Sequence, residues 1–261
     1  MPLTLATWNV NSLKVRLNHL LEWLATHRVD IVCLQETKLI DENFPVAALA
    51  DAGYDAVFAG QKTYNGVAVL TRRATMPAAV DVVTALPGFE DPQKRLIAAT
   101  VGPLRVVGAY FPNGQSVGSD KYDYKLRWIA ALNTWLRDAL ARHPMLALAG
   151  DFNIAPEERD VHDPQAWAGQ VLVSEPERQA FRDLLALGFV DSFRLFEQPE
   201  RSYTWWDYRM MAFRRKMGLR IDHVLLASSL APHCTACSID VAPRRLEQPS
   251  DHAPVIVTLS L

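Results

Sequence analysis

Apolar and polar positions along the chain change period several times, and each change marks an element. Residues 3–8 alternate closely enough for a β-strand. Asn9 and Asn11 follow at the two-residue spacing that shares a strand face. Ser12 stands where a helix N-cap is expected, and Leu13, Leu17, Leu20, Leu21 and Leu24 recur at helical spacing to about residue 27. The short apolar run at 30–35 predicts a buried strand with Glu36 at its carboxyl end. A second helix is expected over 44–52. Short strands then follow at 54–58, 66–71, 79–83, 96–101 and 104–109, close enough together to form hairpins. Tyr110 ends the last of these, before the turn Phe111-Pro112-Asn113-Gly114.

Helical spacing returns over 121–142, where Trp128, Leu132, Trp135, Leu136 and Leu140 mark one face. The next apolar run, Leu146-Ala147-Leu148-Ala149, stops at Gly150-Asp151 and reads as a buried strand reaching a rim. Residues 155–172, with Pro156, Pro164 and Gly169, have no period and predict a long loop. Loops of that length inside a compact domain are mostly functional or disordered. A helix over 177–187 and strands over 220–226 and 255–259 complete the pattern. No repeat, low-complexity tract or linker divides it, so residues 1–261 are expected to form one domain.

Composition narrows the class. Hydrophobic residues at 49% supply a core, and charged residues at 21% suit a soluble globular chain. No apolar run approaches the roughly 18 residues that span a bilayer. The N-terminus has no basic leader and reads directly as a strand, so no signal peptide is expected. Cys33 and the isolated Cys234/Cys237 pair read as buried strand thiols, which points to a reduced, cytoplasmic protein. The net charge of −2 does not announce a nucleic-acid partner. Its distribution leaves the question open: Arg209, Arg214, Arg215, Lys216 and Arg220 fall in one stretch with no acidic residue. Such a run is either a solvated face or a phosphate-contacting one.

The chemistry gathers at strand ends. Asn9, Glu36, Tyr110 and Asp151 each follow an apolar strand, the place where α/β sheets carry their ligands. Asp151 can take a proton from water and Asn153 can donate to an oxyanion, although Asp-x-Asn also makes a plain Asx-turn. Glu36, Asp151, Asp251 and the amide oxygens of Asn9 and Asn11 are hard donors that suit Mg²⁺ or Mn²⁺ rather than zinc. His252 follows Asp251 just before a strand, and Asp222 is a candidate to hold its Nδ1–H. His223 falls on the opposite strand face from Asp222 and reads as structural. No serine carries a nucleophile-elbow pattern, which argues against acyl transfer.

Taken together, Trp8-Asn9-Val10-Asn11, Leu34-Gln35-Glu36-Thr37-Lys38, Tyr110-Phe111-Pro112-Asn113-Gly114, Gly150-Asp151-Phe152-Asn153, Gly218-Leu219-Arg220-Ile221-Asp222 and Ser250-Asp251-His252-Ala253-Pro254 resemble one family. It is the exonuclease III family of apurinic/apyrimidinic endonucleases, within the endonuclease/exonuclease/phosphatase superfamily. The resemblance runs from residue 4 to about 258, and Tyr203-Thr204-Trp205-Trp206-Asp207-Tyr208 adds to its specificity.

The resemblance implies an α/β fold, a four-layer αββα sandwich of two packed, mostly antiparallel sheets. It implies a Mg²⁺-dependent nuclease, with Mn²⁺ as a substitute. The partner would be double-stranded DNA with abasic sites or blocked or recessed 3′ ends, and the chain would act as a monomer. Glu36 would be the principal metal ligand, with Asn9, Asn11 or Asp251 completing the shell. Asp151 would orient or deprotonate the attacking water. Asn153, Tyr110 and His252 would bond phosphate oxygens, and Asp222 would orient His252. A second-metal arrangement would instead use Asp151, Asn153, Asp251 and His252, and the residues do not choose between the two. Trp205, Leu219 and Ile221 would wall a pocket for a flipped baseless sugar. Lys121, Lys125, Arg209, Arg214 and Arg215 would contact backbone phosphates, and Met210 or Met211 would wedge into the minor groove. After Arg209 the chain departs from the family's polar wording, reading Met210-Met211-Ala212-Phe213-Arg214-Arg215-Lys216-Met217. The other readings are a phosphatase or phosphodiesterase acting on a non-DNA phosphoester, and a non-catalytic DNA-binding relative. The last would have lost Glu36, Asp151 or His252, and all three are present.

Overall fold

The computed structural model describes residues 2–261. One six-stranded sheet contains β1 (Leu3–Asn9), β2 (Ile31–Gln35), β3 (Tyr54–Ala59), β4 (Val67–Arg72), β11 (Cys234–Ile239) and β12 (Val255–Leu259), in the order β11-β12-β1-β2-β4-β3. The other contains β5 (Val80–Val83), β6 (Leu96–Val101), β7 (Leu104–Tyr110), β8 (Leu146–Asp151), β9 (Phe189–Asp191) and β10 (Asp222–Ala227), in the order β5-β6-β7-β8-β10-β9. Each sheet has one parallel pair, β1 with β2 and β7 with β8. Parallel neighbours need a crossover. Helix α1 (Leu13–His27) supplies the first and α3 (Asp120–Arg142) the second.

The alternation within single strands shows how the layers stack. On β2, Ile31 and Cys33 enter the core between the sheets, while Val32 and Leu34 enter a second core that also holds Leu13, Leu20 and Leu24 of α1. On β4, Val67 and Val69 face the first core and Ala68 and Leu70 the second. Both faces of these strands are therefore covered, which is why they read as continuous apolar runs. Trp128, Ile129, Leu132 and Leu136 of α3 pack on the other sheet with Phe181 and Leu184 of α5 (Glu175–Ala186). The result is the expected four-layer sandwich, helices outside and two sheets within.

Several details depart from expectation. Ser12 does not cap α1 with its side chain: it sits at φ 86°, and its backbone N–H donates to Glu36 O at 2.7 Å. The second helix is shorter, α2 (Val46–Asp51) after a 3₁₀ turn at Asp41–Asn43, because Pro45 lies between them. The 155–172 segment holds a 3₁₀ turn at Glu158–Asp160 and the short α4 (Pro164–Trp167). Helix α5 starts two residues early, since Ser174 and Glu177 form a capping box there. Strands β9 and β11 carry no pattern that predicts them, although Cys234 and Cys237 do lie on β11.

Candidate active site

Register builds the site. Across one sheet, Tyr110 pairs with Asp151 and Asp151 with Asp222; across the other, Asn9 pairs with Gln35, next to Glu36. These rows meet at one open end of the sandwich. Gly150 is required there: a Cβ at this position would come within 1.8 Å of the Ala109 carbonyl oxygen, so no larger residue could bring Asp151 to the rim. Glu36 and Asn153 leave their strands at φ 51° each, with Asn11 at φ 42°. Left-handed backbone costs a residue such as Glu36 about 1–2 kcal/mol, and asparagine less. Such strain is concentrated where side chains must be aimed.

Asn9 bridges the two sheets. Its Nδ2 donates to Glu36 Oε1 at 2.8 Å and to Asp151 Oδ2 at 2.9 Å, while its Oδ1 accepts the Asn11 N–H at 2.9 Å. Asn11 Nδ2 donates to Asp251 Oδ1 at 2.9 Å, and Trp205 Nε1 holds Asp251 Oδ2 at 3.0 Å. Asp251 is thus occupied at both oxygens. His252 Nδ1 lies 2.8 Å from Asp222 Oδ2, and its Nε2 lies 3.7 Å from Asp151 Oδ2. Asp222 Oδ1 is buried without a partner. Ligand atoms of Glu36, Asp151 and His252 lie within 4.8 Å of one another. Glu36 Oε2 is also 2.9 Å from Lys38 Nζ.

Electrostatics follow from this crowding. Burial alone would strip the proton from His252, but Asp222 and then Asp151 outweigh it and raise the imidazolium pKa to about 10. Burial pushes the Asp151 carboxyl upward. Asp222 and Glu36 add to that rise, while His252 and the Asn9 amide oppose it. Desolvation, reinforced by Glu36 and Asp151, moves the Tyr110 hydroxyl well above its ordinary range, so it stays a donor. Burial would raise Asp251, yet His252, Trp205 and Asn11 hold it below the usual carboxylate value. Asn153 Nδ2 donates to Phe111 O at 3.0 Å and lies 3.3 Å from Asp151 Oδ2.

A cleft of about 770 Å³ opens beside these groups, lined by Glu36, Tyr110, Tyr64, Asn113 and the exposed Lys121. A roomier groove of about 990 Å³, lined by Arg194 and Tyr203, contains none of the site residues. Arg209, Met210, Met211, Arg214 and Arg215 are exposed on one segment, while Ala212 and Phe213 anchor it against Trp206. Trp205 is half-buried. Leu219 and Ile221, expected to wall a pocket, are wholly covered, in a cluster with Ala155, Val161, Leu172 and Val173.

Lys125 requires correction. It is fully buried and ion-paired with Glu177, so it cannot reach a DNA phosphate. Arg220, part of the basic stretch in sequence, is likewise buried and paired with Asp160 and Asp191. Sequence reasoning missed two further groups. Asn113 Nδ2 donates to Asn153 Oδ1 at 3.0 Å, and the Arg95 guanidinium lies 4.7 Å over the Tyr110 ring. Asn113 stands inside the motif that begins at Tyr110, whereas Arg95 is visible in sequence only as half of a small basic cluster.

Comparison with known proteins gives a consistent placement. Residues 6–252 match the endonuclease/exonuclease/phosphatase family. The chain is 33% identical to an exodeoxyribonuclease III of Haemophilus influenzae, over 95% of this chain and 97% of that one. A 3′ phosphatase from Neisseria, solved with a product DNA hairpin, superposes with a TM-score of 0.96 at 45% identity, covering 99% of this chain and 100% of that one. An AP endonuclease from Archaeoglobus fulgidus superposes at 0.93 with 37% identity, covering 99% and 100%. The match along nearly the whole chain, with the two-sheet architecture and the carboxylate–histidine site at its open end, means that the protein belongs to the exonuclease III branch of the endonuclease/exonuclease/phosphatase family.

Proposed function

We propose that the chain is a divalent-metal-dependent DNA repair nuclease, hydrolysing phosphate esters at abasic sites and at blocked or recessed 3′ ends. The observation that carries this reading is the convergence of Glu36, Asp151 and His252, with Asp222 behind His252 and Asn153 beside Asp151. Asp151 accepts the proton of the attacking water, a task its raised pKa suits. His252 is held as an imidazolium by Asp222 and donates to a non-bridging phosphate oxygen. Tyr110 and Asn153 donate to the remaining equatorial oxygens.

The carboxylates and amides around Glu36 fit a hard cation, and Mg²⁺ is the ion proposed, with Mn²⁺ able to replace it. Glu36 would be its principal ligand, with Asn9, Asn11 and Asp251 in its surroundings. When bound, such a cation would neutralise charge developing on the leaving 3′ oxygen. Lys121, Arg209, Arg214 and Arg215 would face the duplex backbone, Met210 or Met211 its minor groove, and Trp205 the sugar. We take the protein to be a cytoplasmic monomer. Its three cysteines are free, and burial pushes Cys33 and Cys237 up to about 12, which leaves both thiols unreactive. No helix among the described residues is long and apolar enough to cross a membrane.

The test is cleavage of two labelled duplexes, one with an internal abasic analogue and one with a recessed 3′-phosphate. Each is run with Mg²⁺ and with EDTA. Mg²⁺-dependent processing of both is expected. Processing of the 3′-phosphate alone would restrict the enzyme to 3′ ends, and silence on both would overturn the reading.

A further inference from the structure

Lys125 sits early in α3 with its side chain fully buried. Burying an ammonium costs several kcal/mol unless its N–H groups find acceptors. Here the three donors meet three acceptors: the Glu177 carboxylate, the Asn113 carbonyl at 3.2 Å and the Asn153 carbonyl at 2.7 Å. Each belongs to a different segment. Asn113 follows β7, Asn153 follows β8, and Glu177 caps α5. Glu177 also accepts the Leu172 N–H at 3.0 Å and the Ser174 N–H at 3.1 Å, so it holds the end of the long loop.

The Asn153 side of this clamp matters most. At φ 51° the residue is left-handed, a conformation that asparagine tolerates but that its partners must hold in one geometry. Its N–H is tied to Asp151 Oδ1 at 2.9 Å, its side-chain oxygen to Asn113 and its carbonyl to Lys125. Two apolar side chains of similar volume could fill the Lys125–Glu177 space without a buried charge. They would leave both carbonyls unbonded and release the turn.

We propose that Lys125, paired with Glu177, is a positioning residue for the reaction: it clamps the left-handed turn that aims the Asn153 carboxamide beside Asp151, and couples that turn to residues 172–174. The proposal rests on the assignment of Asn153 as a phosphate-oxygen donor.

A double-mutant cycle tests it on the 3′-phosphate duplex with Mg²⁺, using wild type, Asn153→Ala, Lys125→Met and the double variant. Losing one preorganised donor lowers kcat about 10²–10³-fold, the result expected for Asn153→Ala. Lys125→Met is expected to lower kcat at least tenfold with KM nearly unchanged, and to cost nothing further once Asn153 is alanine. Additive losses, or normal kcat in Lys125→Met, overturn the proposal while leaving the role of Asn153 intact. Normal kcat in Asn153→Ala overturns both. If Lys125→Met does not fold, Lys125→Met/Glu177→Leu takes its place in the cycle, since it removes both charges together. Glu177→Gln, which keeps an acceptor for Lys125, should retain more kcat than Glu177→Leu, and equal losses would contradict the clamp.

Discussion

Asp222 and His223 are neighbours on β10, yet they serve opposite interiors. Asp222 faces the open end, where His252, Asp151 and Glu36 crowd together with acceptors to spare. His223 faces a closed network. Its Nδ1 lies 3.1 Å from Arg220 Nη1 and its Nε2 2.9 Å from Ile154 O, which fixes a neutral ring accepting from arginine and donating to the carbonyl. Arg220 in turn meets Asp160 at 2.6 Å and Asp191 at 2.8 Å. Buried charge occurs on both sides of one strand. On the closed side it is internally matched and serves stability. On the open side the carboxylates are in excess, and a cation can complete them.

The largest expected effect comes from breaking the open side. Asp151→Asn should lower kcat by about 10²–10⁴-fold, the range for losing a general base, with the melting temperature little changed. A variant that turns over normally would remove Asp151 from the chemistry. On the closed side, Arg220→Met leaves Asp191 buried without its cation and Asp160 with Arg194 alone. It should cost about 3–5 kcal/mol in a urea titration, and a loss below 1 kcal/mol would contradict the structural role.

The third effect separates the two histidines by pH. Burial and the Arg220 cation depress His223 to about 3, against roughly 6.5 for an unfolded histidine. Between those values the unfolded chain binds the proton and the native chain does not, so stability rises with pH. His223 therefore contributes fully above about 6.5, and its contribution falls away as pH drops towards 3. His252 has the opposite sign: its raised pKa gives stability that is complete below about 6.5 and lost as pH climbs through 10. In EDTA-treated protein, His223→Gln should flatten the acid limb of the stability curve and His252→Gln the alkaline limb. Unchanged limbs would refute the assignments. The smallest effect belongs to the exposed rim. Arg214→Ala and Arg215→Ala should each reduce the salt slope of DNA binding by about 0.9 for every phosphate the side chain neutralises, without altering the melting temperature. An unchanged slope in both variants would place these arginines away from the duplex.

Much of the fold was legible because both faces of the central strands are buried and the long helices carry apolar stripes. The observed β6 and β12 match the expected 96–101 and 255–259 in full, and α1 runs over the expected 13–27. Strand β9 is three residues long, too short for a period to show, and β11 is a half-exposed edge without apolar alternation. The strand-end residues could be picked out singly, but the meeting of Asn9, Glu36 and His252 with Asp151 and Asp222 depends on one sheet packing on the other. Lys125 and Arg220 were illegible for a related reason. A cation in a helical or basic stretch looks solvated until its acidic partner, 52 or 60 residues away, is seen beside it.

The most direct test is a paired measurement of kcat and unfolding free energy at neutral pH in His252→Gln and His223→Gln. The division between the two sides of β10 predicts that His252→Gln loses turnover by orders of magnitude while remaining folded. It predicts that His223→Gln loses stability while its folded fraction turns over normally. Normal turnover in His252→Gln, or a catalytic loss in fully folded His223→Gln, would contradict it.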